Sequence, residues 1–219
     1  MRYQCFAVVL CVAATVSACS NKKPLPPLPP ATHAAAVELG FAAGSLDAQA
    51  AQPIDLRQNS SLGFARSEAD LIGFMDRLQL PAADAANIAT GMLEGFADPN
   101  PTRGSQLMSD AMNLLMSRLQ ASPYPELLWS FKVGLSVGHM GESLNVLTKG
   151  TPQPEHVQAF AAQTTRDRAT LQGDLDQSGM PAELYDAIQA VNIEIRSVSD
   201  LFAITRGCLN IKGMVAQLR

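Results

Sequence analysis

The segment SEADLIGFMDRL, from Ser67 to Leu78, carries the pattern that recurs through most of this chain. Its first residues resemble a capping box, because a serine is followed three residues later by Asp70, whose carboxylate can accept a bond from the serine N–H. The apolar residues that follow are spaced three and four apart: Leu71, Phe74, Met75 and Leu78. This spacing predicts an amphipathic helix that buries one face.

Helical patterns of the same kind lie on both sides of this segment. Prolines and glycines separate them, as is typical of helix starts and ends. The predicted helices cover 34–51, 67–78, 81–96, 104–120, 126–148, 154–179 and 181–207, with 52–66 as a loop. The last of them is predicted from apolar residues that recur at helical spacing from Leu184 to Phe202, although residues 191–195 also alternate like a strand.

Composition agrees with a helical domain. Aromatic residues make up only 5% of the chain, and Ala, Leu, Met and Gln are plentiful, which favours helix over strand. We predict an all-α fold for residues 34–219, with six or seven helices packed as a bundle or as stacked helical hairpins. The 34-residue period of tetratricopeptide arrays does not emerge.

An apolar run, CFAVVLCVAATV at residues 5–16, follows the positive Arg2. It is shorter than the about 20 residues that span a bilayer, and it matches the apolar region of a secretory signal peptide. The next residues, Val16-Ser17-Ala18-Cys19, resemble the lipobox of bacterial lipoproteins. We therefore expect residues 1–18 to be removed as a signal peptide and Cys19 to become the lipidated first residue.

The lipobox resemblance implies a membrane location. It implies a diacylglycerol on the Cys19 sulfur and a third fatty chain, such as palmitate, on the new amine, and two or more chains give stable anchoring. Ser20, in place of Asp, resembles the pattern that diderm bacteria sort to the outer membrane, which implies a lipid-anchored protein facing the periplasm. The alternative is an ordinary signal peptide cut after Ala18.

A proline-rich tether at residues 19–33 follows the lipidation site. Its sequence from Ser20 to Thr32, SNKKPLPPLPPAT, favours extended polyproline II and predicts a semi-rigid spacer between the membrane and the domain. Lys23, Pro26 and Pro29 also fit a PxxP recognition pattern, but the domains that recognise it are chiefly eukaryotic.

The charge balance argues against nucleic acid as a partner. The chain has a formal net charge of −4, and the loss of Arg2 with the signal peptide would make it −5. Binding to phosphates requires clustered Lys and Arg, and no such cluster is evident. The membrane and a protein of the envelope are the partners we expect, and no cofactor is predicted.

A row of glycines on the long apolar helix is the candidate partner groove. Gly134, Gly138 and Gly141 line one side of it, and Trp129 lies one turn before them. Glycines at this spacing allow close helix packing, which is the alternative interpretation.

Two residue sets resemble metal-binding patterns, but neither predicts a metal site. Met108, Met112 and Met116 could hold Cu(I), but the first two fall within an apolar stripe where methionine commonly fills the core. His139 and Glu142 are three apart, yet a closed site needs three or four converging ligands. Arg168 falls within another apolar stripe, and Glu194 is its candidate partner.

No catalytic residue is predicted. The sequence lacks Gly-x-Ser-x-Gly and a glycine-rich phosphate loop, and Cys208 is expected to be a buried apolar residue, with a reactive thiol as the alternative. We therefore expect a non-enzymatic lipoprotein that acts as an adaptor, assembly factor or accessory subunit. The alternatives are a small-ligand or metal carrier and, less favoured, a cell-wall hydrolase.

Overall fold

A computed structural model describes residues 25–51, 67–148 and 154–218, and in these ranges the protein is an all-α bundle, as the sequence predicts. Eight helices occupy the described ranges. They are α1 (Pro30–Ala50), α2 (Glu68–Arg77), α3 (Ala82–Ala97), α4 (Pro101–Gln120), α5 (Glu126–Thr148), α6 (Pro154–Ser178), α7 (Ala182–Gln189) and α8 (Val198–Gln217). The predicted capping box is present, since the Ser67 hydroxyl accepts from Asp70 N and the Asp70 carboxylate accepts from Ser67 N.

Helices α1 and α5 form the centre of the molecule. From His33 to Ala50, every residue of α1 is buried except Asp47, which is half-buried. A helix that is apolar on all sides must be covered on all sides, and α5 supplies the largest part of that cover. Helix α1 contains two glycines, Gly40 and Gly44, which lower its helical propensity. At these two positions α5 approaches α1 most closely.

The contacts between α1 and α5 are reciprocal. Two glycines of each helix lie against backbone carbonyls of the other, and a Cβ added to any of them would lie 2.0 to 2.2 Å from the facing oxygen. The pairs of glycine and carbonyl are Gly40 with Phe131, Gly134 with Val37, Gly44 with Leu135 and Gly138 with Phe41. Residue numbers rise together in the two helices, so α1 and α5 run parallel and pack like the two-fold related elements of a symmetric dimer.

A second segment also occurs twice. The turn that joins α2 to α3 is repeated one hundred residues later between α6 and α7, with Gln79 and Gly179 both at positive φ, 59° and 60°. The residues that recur at this spacing are Leu71, Gly73, Asp76, Pro81 and Ile88, matched by Leu171, Gly173, Asp176, Pro181 and Ile188. The described helices therefore form two similar halves, α1–α4 and α5–α8.

Each half has its own apolar core, and the central helices belong to both. The first core is formed by α1 to α4 and also contains Leu127 and Phe131 of α5. The second is formed by α5 to α8 and also contains Val37 and Phe41 of α1. The α1–α5 pair thus joins the two cores.

The predicted helix over 181–207 is two helices in the structure. The chain leaves the helical path between Gln189 and Val198, while Val191 and Ile195 stay buried. A new capping box formed by Ser197 and Asp200 then starts α8. Because this break resets the helical phase, Phe202 is 50% exposed instead of lying on the predicted buried stripe.

Candidate functional site

The predicted lipidation site, Cys19, lies outside the described residues, as do Val16, Ser17 and Ala18. Of the predicted tether, residues 25–33 are described: 25–29 have no helical structure, and 30–33 form the first turn of α1. The helix begins at Pro30, four residues before the predicted start of the domain. Within the described ranges, no helix has both the length and the apolar character needed to cross a membrane.

The glycine row predicted as a partner groove lies against the protein's own first helix. Gly134 and Gly138 face the carbonyls of α1, and Gly141 is buried. Trp129 is half-buried, and the Lys132 Nζ lies 4.4 Å from its ring centre. Helix α1 therefore occupies the row at Gly134 and Gly138, which leaves no open groove there.

The methionine stripe lies in the core of the first half. Met108 has no exposed surface, and Met112 and Met116 pack against the same core while partly buried. In the described part of the chain, no three His, Cys, Asp or Glu side chains come together as metal ligands do. Because Met108 is fully buried and the other two pack on the same core, the methionines act as core residues at these positions.

His139 and Glu142, three residues apart on α5, contact different partners. The Glu142 carboxylate is buried and accepts a hydrogen bond from Ser45 Oγ at 3.0 Å. The His139 Nε2 lies 3.9 Å from the Asp47 carboxylate of α1. The sequence pattern does not single out Asp47, which is one of two acidic residues, with Glu38, in an Ala-rich helix.

Arg168 does not form the proposed pair with Glu194. The Glu194 carboxylate instead accepts from Arg196 Nε at 2.9 Å. The Arg168 Nε is buried and has no hydrogen-bond partner among the described residues. A buried N–H without an acceptor is costly, so Arg168 marks a place where an acceptor would be stabilising.

A cavity of about 220 Å³ lies between α1, α5 and α6, and Arg168 lines it. Its buried apolar lining comprises Met140, Phe160 and Leu171. Asp47 and His139 line it too, and both side chains are about one third exposed. Burial raises the pKa of Asp47, an effect that the nearby His139 opposes. The cavity thus combines an apolar wall with charged groups of both signs, and we take it as the candidate binding site.

The cavity lining also brings together Asp47, His139 and two serines, Ser136 and Ser143. A serine hydrolase needs a hydrogen bond from the nucleophile to the histidine, and the histidine must be held by the acid. The His139 to Asp47 distance of 3.9 Å exceeds a hydrogen bond. Among the described residues, neither serine hydroxyl bonds to the His139 ring, so these four residues do not form a triad.

A second candidate surface lies on α8. Phe202 and Leu209 are 50% and 46% exposed and seven residues apart, so they share one face of the helix. Arg206 and Gly213 are exposed on the same face. We name these four residues the α8 face.

Comparisons with protein-family models, with curated proteins and with solved structures find no match to this chain.

Proposed function

We propose that this chain is a lipid-anchored, non-enzymatic protein of the bacterial envelope that binds another envelope protein as an adaptor, assembly factor or accessory subunit. In this proposal Cys19 carries the lipid, the outer membrane holds the protein on its periplasmic side, and the proline-rich tether separates the domain from the surface. The observation that carries the binding role is the α8 face, since Phe202 and Leu209 are the large apolar side chains that the described helices expose.

The chemistry of the α8 face fits a protein partner with an apolar groove and a carboxylate beside it. Phe202 and Leu209 would enter the groove, because apolar anchors supply most of the binding energy of an interface. Arg206 lies between them in the sequence, is exposed and forms no ion pair within the described residues. The exposed Gly213 has no side chain to hold the partner away.

Site-specific photocrosslinking in intact cells tests this proposal. A benzophenone amino acid placed at Leu209 of the full-length chain should give one main adduct with a different protein, identified by mass spectrometry. Phe202→Ser should reduce that adduct about tenfold, because the loss of an aromatic anchor that is buried in the interface costs more than about 1.4 kcal/mol of binding energy. The same probe at Glu183, which is exposed on α7, is the matched control.

Two outcomes would overturn the binding role. One is an equal set of adducts from Leu209 and Glu183, which would mean that neighbours are labelled without specificity. The other is an adduct of the chain with itself, which would mean that a second copy covers the α8 face.

The lipid anchor has its own test. Metabolic labelling with an alkyne palmitate analogue should mark the native protein and leave Cys19→Ser unmarked, with that variant recovered from the soluble periplasmic fraction. Labelling that persists in Cys19→Ser would reject the proposed attachment site.

A further inference from the structure

We propose that the cavity between α1, α5 and α6 binds a small zwitterion with an apolar side chain, of the amino-acid class, with its carboxylate on Arg168 and its ammonium group on Asp47. This site shares no residue with the α8 face, so the proposal does not depend on the adaptor role. Each part of the ligand is inferred from a different group of the cavity lining.

The carboxylate is inferred from Arg168. Its Nε is buried and has no hydrogen-bond partner among the described residues, and the nearby Glu194 is engaged by Arg196. Asn192 Nδ2 donates to the Arg168 backbone carbonyl at 3.3 Å, which ties the backbone here to the segment after α7. A guanidinium binds a carboxylate through two parallel N–H donors. The buried Nε has no surface that a ligand could reach, so a bound carboxylate would accept from the two terminal nitrogens of the guanidinium of Arg168, which lines the cavity.

The ammonium group is inferred from the acidic residues of the lining. Asp47 and Asp167 both line the cavity, so a simple anion would meet like charge on reaching Arg168. The His139 ring is 3.9 Å from Asp47, too far for a hydrogen bond, so the Asp47 carboxylate has room for a donor from a ligand. A ligand with charges of both signs satisfies Arg168 and Asp47 together.

The apolar side chain is inferred from the wall and from the volume. Met140, Phe160 and Leu171 line the cavity and are at most 8% exposed. The volume of about 220 Å³ is that of a small pocket, since sites for drug-sized ligands have about 300 to 1,000 Å³. This space suits one amino acid with a branched or aromatic side chain and is too small for a typical drug-sized ligand.

Isothermal titration calorimetry tests the site with L-leucine and L-phenylalanine. The protein is residues 19–219, which include every described residue, carrying Cys19→Ala so that neither lipid nor detergent competes for the cavity. We expect saturable binding of both amino acids. Two analogues of L-phenylalanine, 3-phenylpropionate without the amine and phenethylamine without the carboxylate, should each bind about tenfold more weakly or worse, since a charge-assisted hydrogen bond contributes about that factor.

Variants locate the binding. Arg168→Gln and Asp47→Asn should each weaken L-phenylalanine binding about tenfold or more, whereas Arg103→Gln, an exposed arginine of α4, should leave it unchanged. Circular dichroism melts establish that each variant is folded. If Arg168→Gln does not fold, Ser143→Leu decides in its place, because it fills the cavity without removing a charge.

Three results would overturn the proposal. Absence of heat with both amino acids at millimolar concentration would show that the cavity is not such a site. Binding of 3-phenylpropionate as tight as that of L-phenylalanine would make it an anion site. Unchanged affinity in the folded Arg168 and Asp47 variants would place any binding elsewhere. None of these results bears on the crosslinking at Leu209, so the two proposals can fail separately.

Discussion

Cys208 lies on the inner side of α8 with none of its surface exposed. Burial raises the pKa of its thiol to about 12, and its Sγ lies 3.9 Å from the Val137 carbonyl oxygen of α5. Since the thiolate is the reactive form, a thiol in this position acts as a small core residue, as the sequence predicts.

The reactivity of Cys208 can be checked by thiol labelling. In a chain of residues 19–219 with Cys19→Ala, Cys208 is the one remaining cysteine, and iodoacetamide at about pH 8 should leave the native protein unmodified, because both exposure and thiolate are lacking. In denaturant, one thiol per chain should react, as mass spectrometry would count. Rapid labelling of the native protein would show that α8 opens readily or that the thiol is exposed.

Asp47 illustrates how a binding residue can lower stability. Its folded pKa is above the ordinary value of 3.8, because burial disfavours the charged form more than His139 favours it. Below that ordinary value the carboxyl is neutral in both states, and its favourable contribution to folding is lost as the pH rises through the folded pKa.

Asp47→Asn should therefore stabilise the protein at neutral pH. The variant should unfold at a higher urea concentration than the native chain at about pH 7. The difference should shrink towards about pH 3.5, where the Asp47 carboxyl is largely neutral, as the amide that replaces it always is. Urea titrations at the two values measure it. A less stable variant at pH 7 would mean that the attraction to His139 outweighs burial. If Asp47→Asn is more stable and also binds the ligand more weakly, Asp47 lowers the stability of the protein while serving its binding function.

At the scale of the element, the α1–α5 pair depends on glycines with no room for a side chain. A Cβ at Gly138 would lie 2.2 Å from the Phe41 carbonyl oxygen, which is backbone and cannot rotate away. The added methyl must push the two helices apart, and both cores depend on their spacing.

Gly138→Ala should lower the free energy of unfolding by about 1 to 3 kcal/mol or more, as overpacking of a tight core does. Gly173→Ala is the matched control, since Gly173 is an exposed glycine within α6 with nothing near the site of its Cβ. That change should raise stability by about 0.5 to 1 kcal/mol, through helix propensity alone. Chemical denaturation measures both, and similar effects of the two substitutions would contradict the close approach of α1 and α5.

The sequence predicts most helices because each carries a local signal, such as the capping box at Ser67 or the proline at the start of α6. It failed at the break between α7 and α8, where the apolar residues continue at helical spacing although Val191 and Ile195 are buried outside any helix. A signal for α8 was present, since Ser197 and Asp200 repeat the spacing of Ser67 and Asp70. The cavity was harder to foresee, because Asp47 and Arg168 lie far apart in the chain and only the packing of α1 and α6 on α5 brings them to one site.

At the scale of the whole molecule, the two halves resemble the subunits of a dimer joined in one chain. Each half contributes residues to the core of the other: α5 adds Leu127 and Phe131 to the first core, and α1 adds Val37 and Phe41 to the second. Neither core is complete without a helix from the other half. This sharing predicts that the halves unfold together, although each has its own set of buried residues.

A pair of core substitutions tests that coupling. Ile88→Ala in the first core and Ile204→Ala in the second, both at most 1% exposed, should each lower the free energy of unfolding by about 2 to 5 kcal/mol. In both variants, the fluorescence of Trp129, the one tryptophan of the chain, and the far-UV circular dichroism should report the same midpoint, because a single cooperative transition moves all probes together. Hydrogen exchange read by mass spectrometry extends the test, since amides of α3 and of α8 should lose protection together whichever isoleucine is shortened. If Ile88→Ala instead loosened α2 to α4 alone while α6 to α8 kept their protection, the α1–α5 pair would be a joint between two independent domains.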